Sequence, residues 1–168
     1  MVSLSWVRRI PALPPSSGPG QGEAIAVLGR IITASVARVR DIDADEYWLI
    51  ARAGPDVPPL VRHAELAPSE ALFRTYLAQW RGCPGEQWWP HYSSAFSREM
   101  ETEEKVAGLR ALVRAAEAGK TVALFCFCPD PRFCHRQLVG AYLRARGVGV
   151  EEWSSATSSQ LAIAFPAG

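Results

Sequence analysis

Three runs decide the fold: Thr121-Val-Ala-Leu-Phe-Cys-Phe127, then Cys134-His-Arg-Gln-Leu-Val-Gly-Ala-Tyr-Leu-Arg-Ala-Arg146, then Val148-Gly-Val-Glu-Glu-Trp153. The first is short, apolar and rich in residues that suit a buried strand. The second places Leu138, Val139 and Tyr142 at helical spacing after His135, and Gly147 stands where a helix ends. The third reads as another strand. Strand, helix, strand at this separation is a βαβ unit, which requires parallel strands and a right-handed crossover.

Upstream, Ala24–Leu28 and Gly29–Val36 read as one or two strands, and Tyr47–Ala51 as a buried strand closed by Arg52, Gly54 and Pro55. Residues 53–64 carry several prolines and read as an irregular loop. Ser69 is a suitable N-cap for a helix over Glu70–Trp80, with Leu72, Phe73, Tyr76, Leu77 and Trp80 along one face. A second helix is expected over Trp88–Met100, with Pro90 in its first turn. A third is expected from Glu103 to Ala118, capped by Thr102 and ended by Gly119. The predicted class is α/β, with a parallel or mostly parallel sheet flanked by helices. The Pro/Gly-rich residues 1–22 are expected to be a flexible segment, residues 23–153 a single domain, and residues 154–168 a tail or short edge strand.

The composition narrows the function classes. Eighteen basic against 17 acidic residues leave a formal charge of +1, so no global field favours nucleic acid or an acidic membrane. With no secretory leader and no apolar run long enough to span a bilayer, a cytoplasmic protein is expected. Cys126, Cys128 and Cys134 lie close together in sequence, unlike a disulfide framework, so they are expected to be free, metal-bound or catalytic.

The connection from Cys126 to Arg136 attracts attention for a physical reason. In an open parallel sheet, ligands bind outside the carboxyl ends of the strands. The helix beginning near Cys134 presents unpaired N–H groups and the positive end of its dipole there. Arg132, His135 and Arg136 add positive charge to the same place, and a bound anion would relieve that conflict. A thiol so placed has a lowered pKa, which makes Cys126 and Cys134 candidate nucleophiles and His135 a candidate acid or base. Zinc suits the residue types Cys126, Cys128, Cys134 and His135, but Cys-x-Cys-x5-Cys-His lacks the usual ligand spacing, so no metal or other cofactor is expected. The Cys126 to Arg132 spacing matches a cysteine-phosphatase loop, yet Pro129 and Pro131 remove donors that such a cradle needs. Trp80, Trp88, Trp89 and Tyr92 are read as helix packing, although exposed aromatics can stack on bases. Glu99, Glu101, Glu103 and Glu104 read as a solvated acidic run, and His63 and His91 as incidental.

These residues resemble the DUF488 family: Cys126 at a strand end, then Phe133-Cys-His-Arg136, a helix, and Glu151-Glu-Trp153. The family's acidic position two residues after the first cysteine is Cys128 here. Ile32-Thr33 with Arg38, Ile50-Ala-Arg52, and Leu66-Ala-Pro-Ser69 agree with the same family, and the resemblance spans about residues 31–153. It implies a compact α/β domain with a shared pocket, to which Arg52 would contribute. It supplies no reaction. The expected function is binding of a small anionic ligand (phosphate, nucleotide or carboxylate), with Arg52, Arg132 and Arg136 holding it and a thiol available for catalysis. The alternative is a non-catalytic module that binds protein or nucleic acid, in which Cys-His-Arg is structural.

Overall fold

The computed structural model describes residues 29–154. The expected strand over Ala24–Leu28, the flexible N-terminal segment, the domain start at residue 23 and all but the first residue of the C-terminal tail lie outside them.

Five strands form one sheet: β1 (Ile31–Ser35), β2 (Glu46–Leu49), β3 (Val61–Arg62), β4 (Val122–Cys126) and β5 (Val150–Glu152). Their order is β3-β2-β4-β1-β5, and every pairing is parallel. All five residues of β4 are buried. A strand flanked on both edges and covered on both faces carries no polar alternation, and Val-Ala-Leu-Phe-Cys has none. The C-terminal βαβ unit closes over β1, which lies between β4 and β5. β3 was missed from sequence. It is two residues long, held by register to Trp48 and Leu49, and its edge position demands no apolar run.

Four α-helices follow the chain order: α1 (Glu70–Thr75), α2 (Gly85–Glu99), α3 (Glu103–Glu117) and α4 (His135–Arg144). They bury Leu72, Trp88, Tyr92, Phe96, Leu109, Leu112, Val139 and Leu143 against Ile31, Val122 and Leu124. The opposite sheet face carries Ile32, Leu49, Ala123 and Phe125 and packs against Ile42, Leu60 and the short 3-10 segment Val36–Asp41 with its Val36 and Val39. Among the described residues, the α-helices therefore gather on one face of the sheet.

Several local expectations are corrected. α1 stops at Thr75, and Tyr76–Trp80 continue as a π-helical turn that faces Tyr76 and Trp80 toward Trp88. α2 begins three residues earlier than expected, which leaves Pro90 inside the helix, past its first turn, where its missing N–H removes one ladder bond. Thr102 precedes α3, but its hydroxyl donates back to the Glu99 carbonyl and caps nothing. Ser69 does cap α1, accepting from Leu72 N at 3.1 Å. Gly119 and Gly147 have φ of 86° and 82°, the left-handed conformation that ends α3 and α4 at little steric cost. No described helix is long and apolar enough to cross a membrane.

Candidate functional site

Cys126 ends β4, the strand pairing of which puts it level with Ser35 at the carboxyl edge of the sheet. Strict alternation along β4 would group Cys126 with Val122 and Leu124. It packs instead with Ala34, Ala51 and Cys134. The reason lies in the connection. Asp130 accepts from Arg132 N at 2.9 Å and starts a 3-10 turn over Pro131–Phe133, which brings Cys134 back over the strand end as N-cap residue of α4.

Three thiols and one imidazole meet there. Cys126 Sγ lies 3.6 Å from Cys128 Sγ and 4.0 Å from His135 Nδ1. The ligand atoms of Cys126, Cys134 and His135 all lie within 4.8 Å of one another, and all three residues are buried. The unusual spacing in sequence does not keep Cys134 and His135 apart: a cap residue and a first-turn residue face the same point when the turn before them doubles back. His135 Nε2 lies 2.6 Å from the Ile50 carbonyl oxygen. A carbonyl only accepts, so Nε2 carries the proton and Nδ1 presents a bare lone pair to Cys126.

Hydrogen bonds from Cys128 and then from Cys134 hold the Cys126 thiol well below its ordinary pKa, against the opposing effect of burial. Donating to Cys126 pushes the Cys128 thiol up to about 11. Burial pushes Cys134 well above its ordinary value. Among the three, Cys126 is the sulfur that ionises first.

Burial also lowers the His135 pKa from its ordinary 6.5. Protonation would put charge in an apolar surround and face it with Lys105 and Arg136, which the hydrogen bond to the Ile50 carbonyl and the nearby Cys128 only partly offset. The unfolded chain therefore binds this proton more readily than the folded one. Stability is complete above 6.5 and falls as the pH drops below it. The melting temperature is expected to decline between about pH 7 and pH 5.5. His135→Gln, which keeps a donor toward Ile50, should flatten that decline in scanning calorimetry; an unchanged slope would remove His135 as its source.

The arginines do not behave as expected. Arg136 is 1% exposed, and its Nε and Nη2 donate to Glu152 at 3.1 and 2.9 Å while Nη1 donates to the Cys128 carbonyl at 2.7 Å. Glu152 is held in turn by the Thr33 hydroxyl at 2.6 Å and by Gln137 at 3.1 Å. The charge conflict predicted at the start of α4 is resolved by the chain's own carboxylate, and Arg136 braces the loop between β4, α4 and β5. Arg132 is exposed and forks onto Asp130 at 2.8 Å. Arg52 differs from both. Its Nε and Nη2 donate to the carbonyls of Pro68 and Ala64 at 2.7 and 3.2 Å, so it is oriented by neutral acceptors and forms no ion pair among the described residues.

Arg52 lines a cavity of about 410 Å³ that opens above the thiol cluster. Cys126, Cys128 and His135 line it together with six aromatic side chains, Phe73, Tyr76, Trp88, Tyr92, Phe127 and Phe133. Trp88 and Tyr92 are buried in that wall and in the helix layer, so they are no exposed platform for bases. The Leu66-Ala-Pro-Ser69 segment is held at the rim by groups that sequence reading had set aside. Glu99 turns inward, accepting from Ser69 N at 2.9 Å and from the Ser69 hydroxyl, which corrects its assignment to a solvated run. Lys105, 2% exposed, donates to the Ala67 carbonyl at 2.6 Å. His63 is stacked on Trp48 at 3.6 Å between ring centres. Periodicity alone gave no signal for these roles, because each partner is distant in sequence.

A family model for the Active DUF488-N3 subclade matches residues 35–147, more than half of the chain and the whole of the Cys126–Arg136 connection. The chain belongs to the DUF488 family. No curated protein and no solved structure matches it. Within this DUF488 domain, Arg136 of Cys-His-Arg and Glu152 of the Glu-Glu-Trp stretch are partners in one ion pair, and Leu-Ala-Pro-Ser supplies the carbonyl that orients Arg52.

Proposed function

We propose that this DUF488 domain is a thiol-dependent enzyme acting on a small molecule with a flat, apolar body and one acidic or strongly polar edge. The observation that carries the reading is that Cys126, His135 and Arg52 line one cavity together with several aromatic side chains. Aromatic walls bind a flat body by dispersion and edge-to-face contact. Arg52 meets a carboxylate or phosphate with a charge-assisted hydrogen bond. Cys126 is the nucleophile, with His135 Nδ1 as the base that takes its proton. Cys134 and Cys128 donate to the sulfur anion. The anionic ligand is thus retained, with its charge assigned to Arg52; Arg136 and Arg132 serve as braces. All four cysteines are unbridged, which favours a reducing, cytoplasmic setting.

Electrophilic fragments bearing an aromatic ring and a carboxylate test this reading directly. Intact-mass and peptide analysis should find them on Cys126 ahead of the exposed Cys83. Arg52→Ala should slow that labelling about tenfold, the equivalent of one lost charge-assisted bond of roughly 1.5 kcal/mol. Uncharged analogues should show no such dependence. Labelling confined to Cys83, or indifference to Arg52→Ala, refutes the proposal.

A further inference from the structure

We propose that Cys126, Cys134, His135 and Cys128 form a binding site for a soft, tetrahedral divalent metal ion, zinc in the first place. This goes beyond the function above and does not rest on it, although both use the sulfur of Cys126. Zinc with bonds of about 2.0–2.3 Å sets its ligand atoms roughly 3.3–3.8 Å apart. Cys126 Sγ stands 3.6 Å from Cys128 Sγ and 4.0 Å from His135 Nδ1. Cys134 completes a group with Cys126 and His135 whose donor atoms span no more than 4.8 Å. Closing the three-residue group to zinc spacing takes a contraction of up to about 1 Å, and Cys128, which meets Cys126 but stands outside that group, moves inward to supply the fourth ligand.

The imidazole is already prepared for the role. A metal-ligating histidine donates its other N–H to a fixed acceptor, which sets its tautomer and aims the free nitrogen. His135 donates Nε2–H to the Ile50 carbonyl at 2.6 Å and leaves Nδ1 bare toward the thiols. Ile50 is itself buried and its N–H is bound to Phe125 O at 2.9 Å, so the acceptor is rigid. The charges also fit. Arg136 is matched by Glu152 and adds no net positive charge to the cluster. Burying several thiolates side by side is costly, and a dication among them removes most of that cost. Each cysteine that binds releases its proton to solvent, so uptake is favoured by rising pH. When occupied, the site takes up the lone pairs of Cys126 and masks it as a nucleophile.

Cobalt(II) is the probe for the ligand set and zinc for competition. Reduced, chelator-treated full-length protein titrated with cobalt(II) should develop intense visible d–d bands and a near-ultraviolet thiolate-to-metal band, saturating at one equivalent. Zinc should bleach them. Cys134→Ser and His135→Ala should each weaken binding at least tenfold, and Cys83→Ser should leave it unchanged. Alkylation footprinting of the unmodified protein covers the case in which a variant fails to fold. Zinc should protect Cys126, Cys128 and Cys134 and leave Cys83 reactive. Weak octahedral spectra, equal binding by Cys134→Ser, or no protection would overturn the metal site. Arg52-dependent labelling of Cys126 in metal-free protein would stand apart from that result, and its loss would strike only the function proposed above.

Discussion

Glu152→Ala is expected to destabilise the domain by about 3 kcal/mol or more, the cost of leaving a buried charge without its partner. Arg136 is 1% exposed and reaches no other carboxylate among its hydrogen-bond partners, which are Glu152 and the Cys128 carbonyl. Removing Glu152 strands the guanidinium between β4, α4 and β5 and also takes the acceptor from the Thr33 hydroxyl and from Gln137. Glu152 keeps 26% of its side chain exposed, so the reverse deletion leaves a carboxylate that water can reach. Arg136→Met, which keeps much of the volume, should therefore cost less than Glu152→Ala. For a domain of this size the larger loss corresponds to a melting temperature lower by roughly 10 °C. Thermal and denaturant unfolding of the two single variants and the double variant tests the asymmetry. If Glu152→Ala were as stable as the wild type, Arg136 would not be a brace, and the free-cation reading of the α4 start would return.

Phe96→Ala should be the second severe change, costing about 3–5 kcal/mol. Phe96 is fully buried in the last turn of α2, stacked on Tyr92 at 6.2 Å, and tilted against the His135 ring at 5.3 Å. It also lies under the Lys105 ammonium at 5.7 Å. Truncation opens a void where helix layer and thiol cluster meet, so two effects are expected together. Stability falls, and His135 loses the neighbour that fixes its ring, which should slow labelling at Cys126 even in the fraction that remains folded. Phe96→Leu fills most of the space and should recover stability more fully than it recovers reactivity. Calorimetry and labelling kinetics on the same samples separate the two. Equal recovery of both by leucine would reduce Phe96 to a core residue with no bearing on the site.

These two residues differ in how visible they are from sequence. Phe96 belongs to an amphipathic pattern with Trp88 and Tyr92, and such patterns expose the buried face of a helix without any knowledge of its partner. The same is true of β4, where an unbroken apolar run announces a central parallel strand, and of Gly119 and Gly147, which stop helices by their own backbone freedom. The meeting of the β4 end and the α4 start was legible for a similar reason, since a strand followed by a helix in a parallel sheet must present its carboxyl end and the helix N-terminus to the same edge. The family resemblance agreed with that place.

Which residues meet and pair at that place was decided only by the tertiary structure. Charge summed along the chain cannot tell a cation that awaits a ligand from one already paired, because Glu152 is sixteen residues from Arg136 and reaches it through the βαβ crossover. The inward turn of Glu99 onto Ser69, the burial of Lys105 against Ala67 and the two carbonyls that aim Arg52 are likewise long-range, and no local period encodes them. Cys126, Cys134 and His135 look badly spaced for a common target in one dimension. A 3-10 turn folds that spacing back on itself. Local periodicity determined the principal strands and helices; the closing of the sheet and helix layer chose which charges and which sulfurs meet.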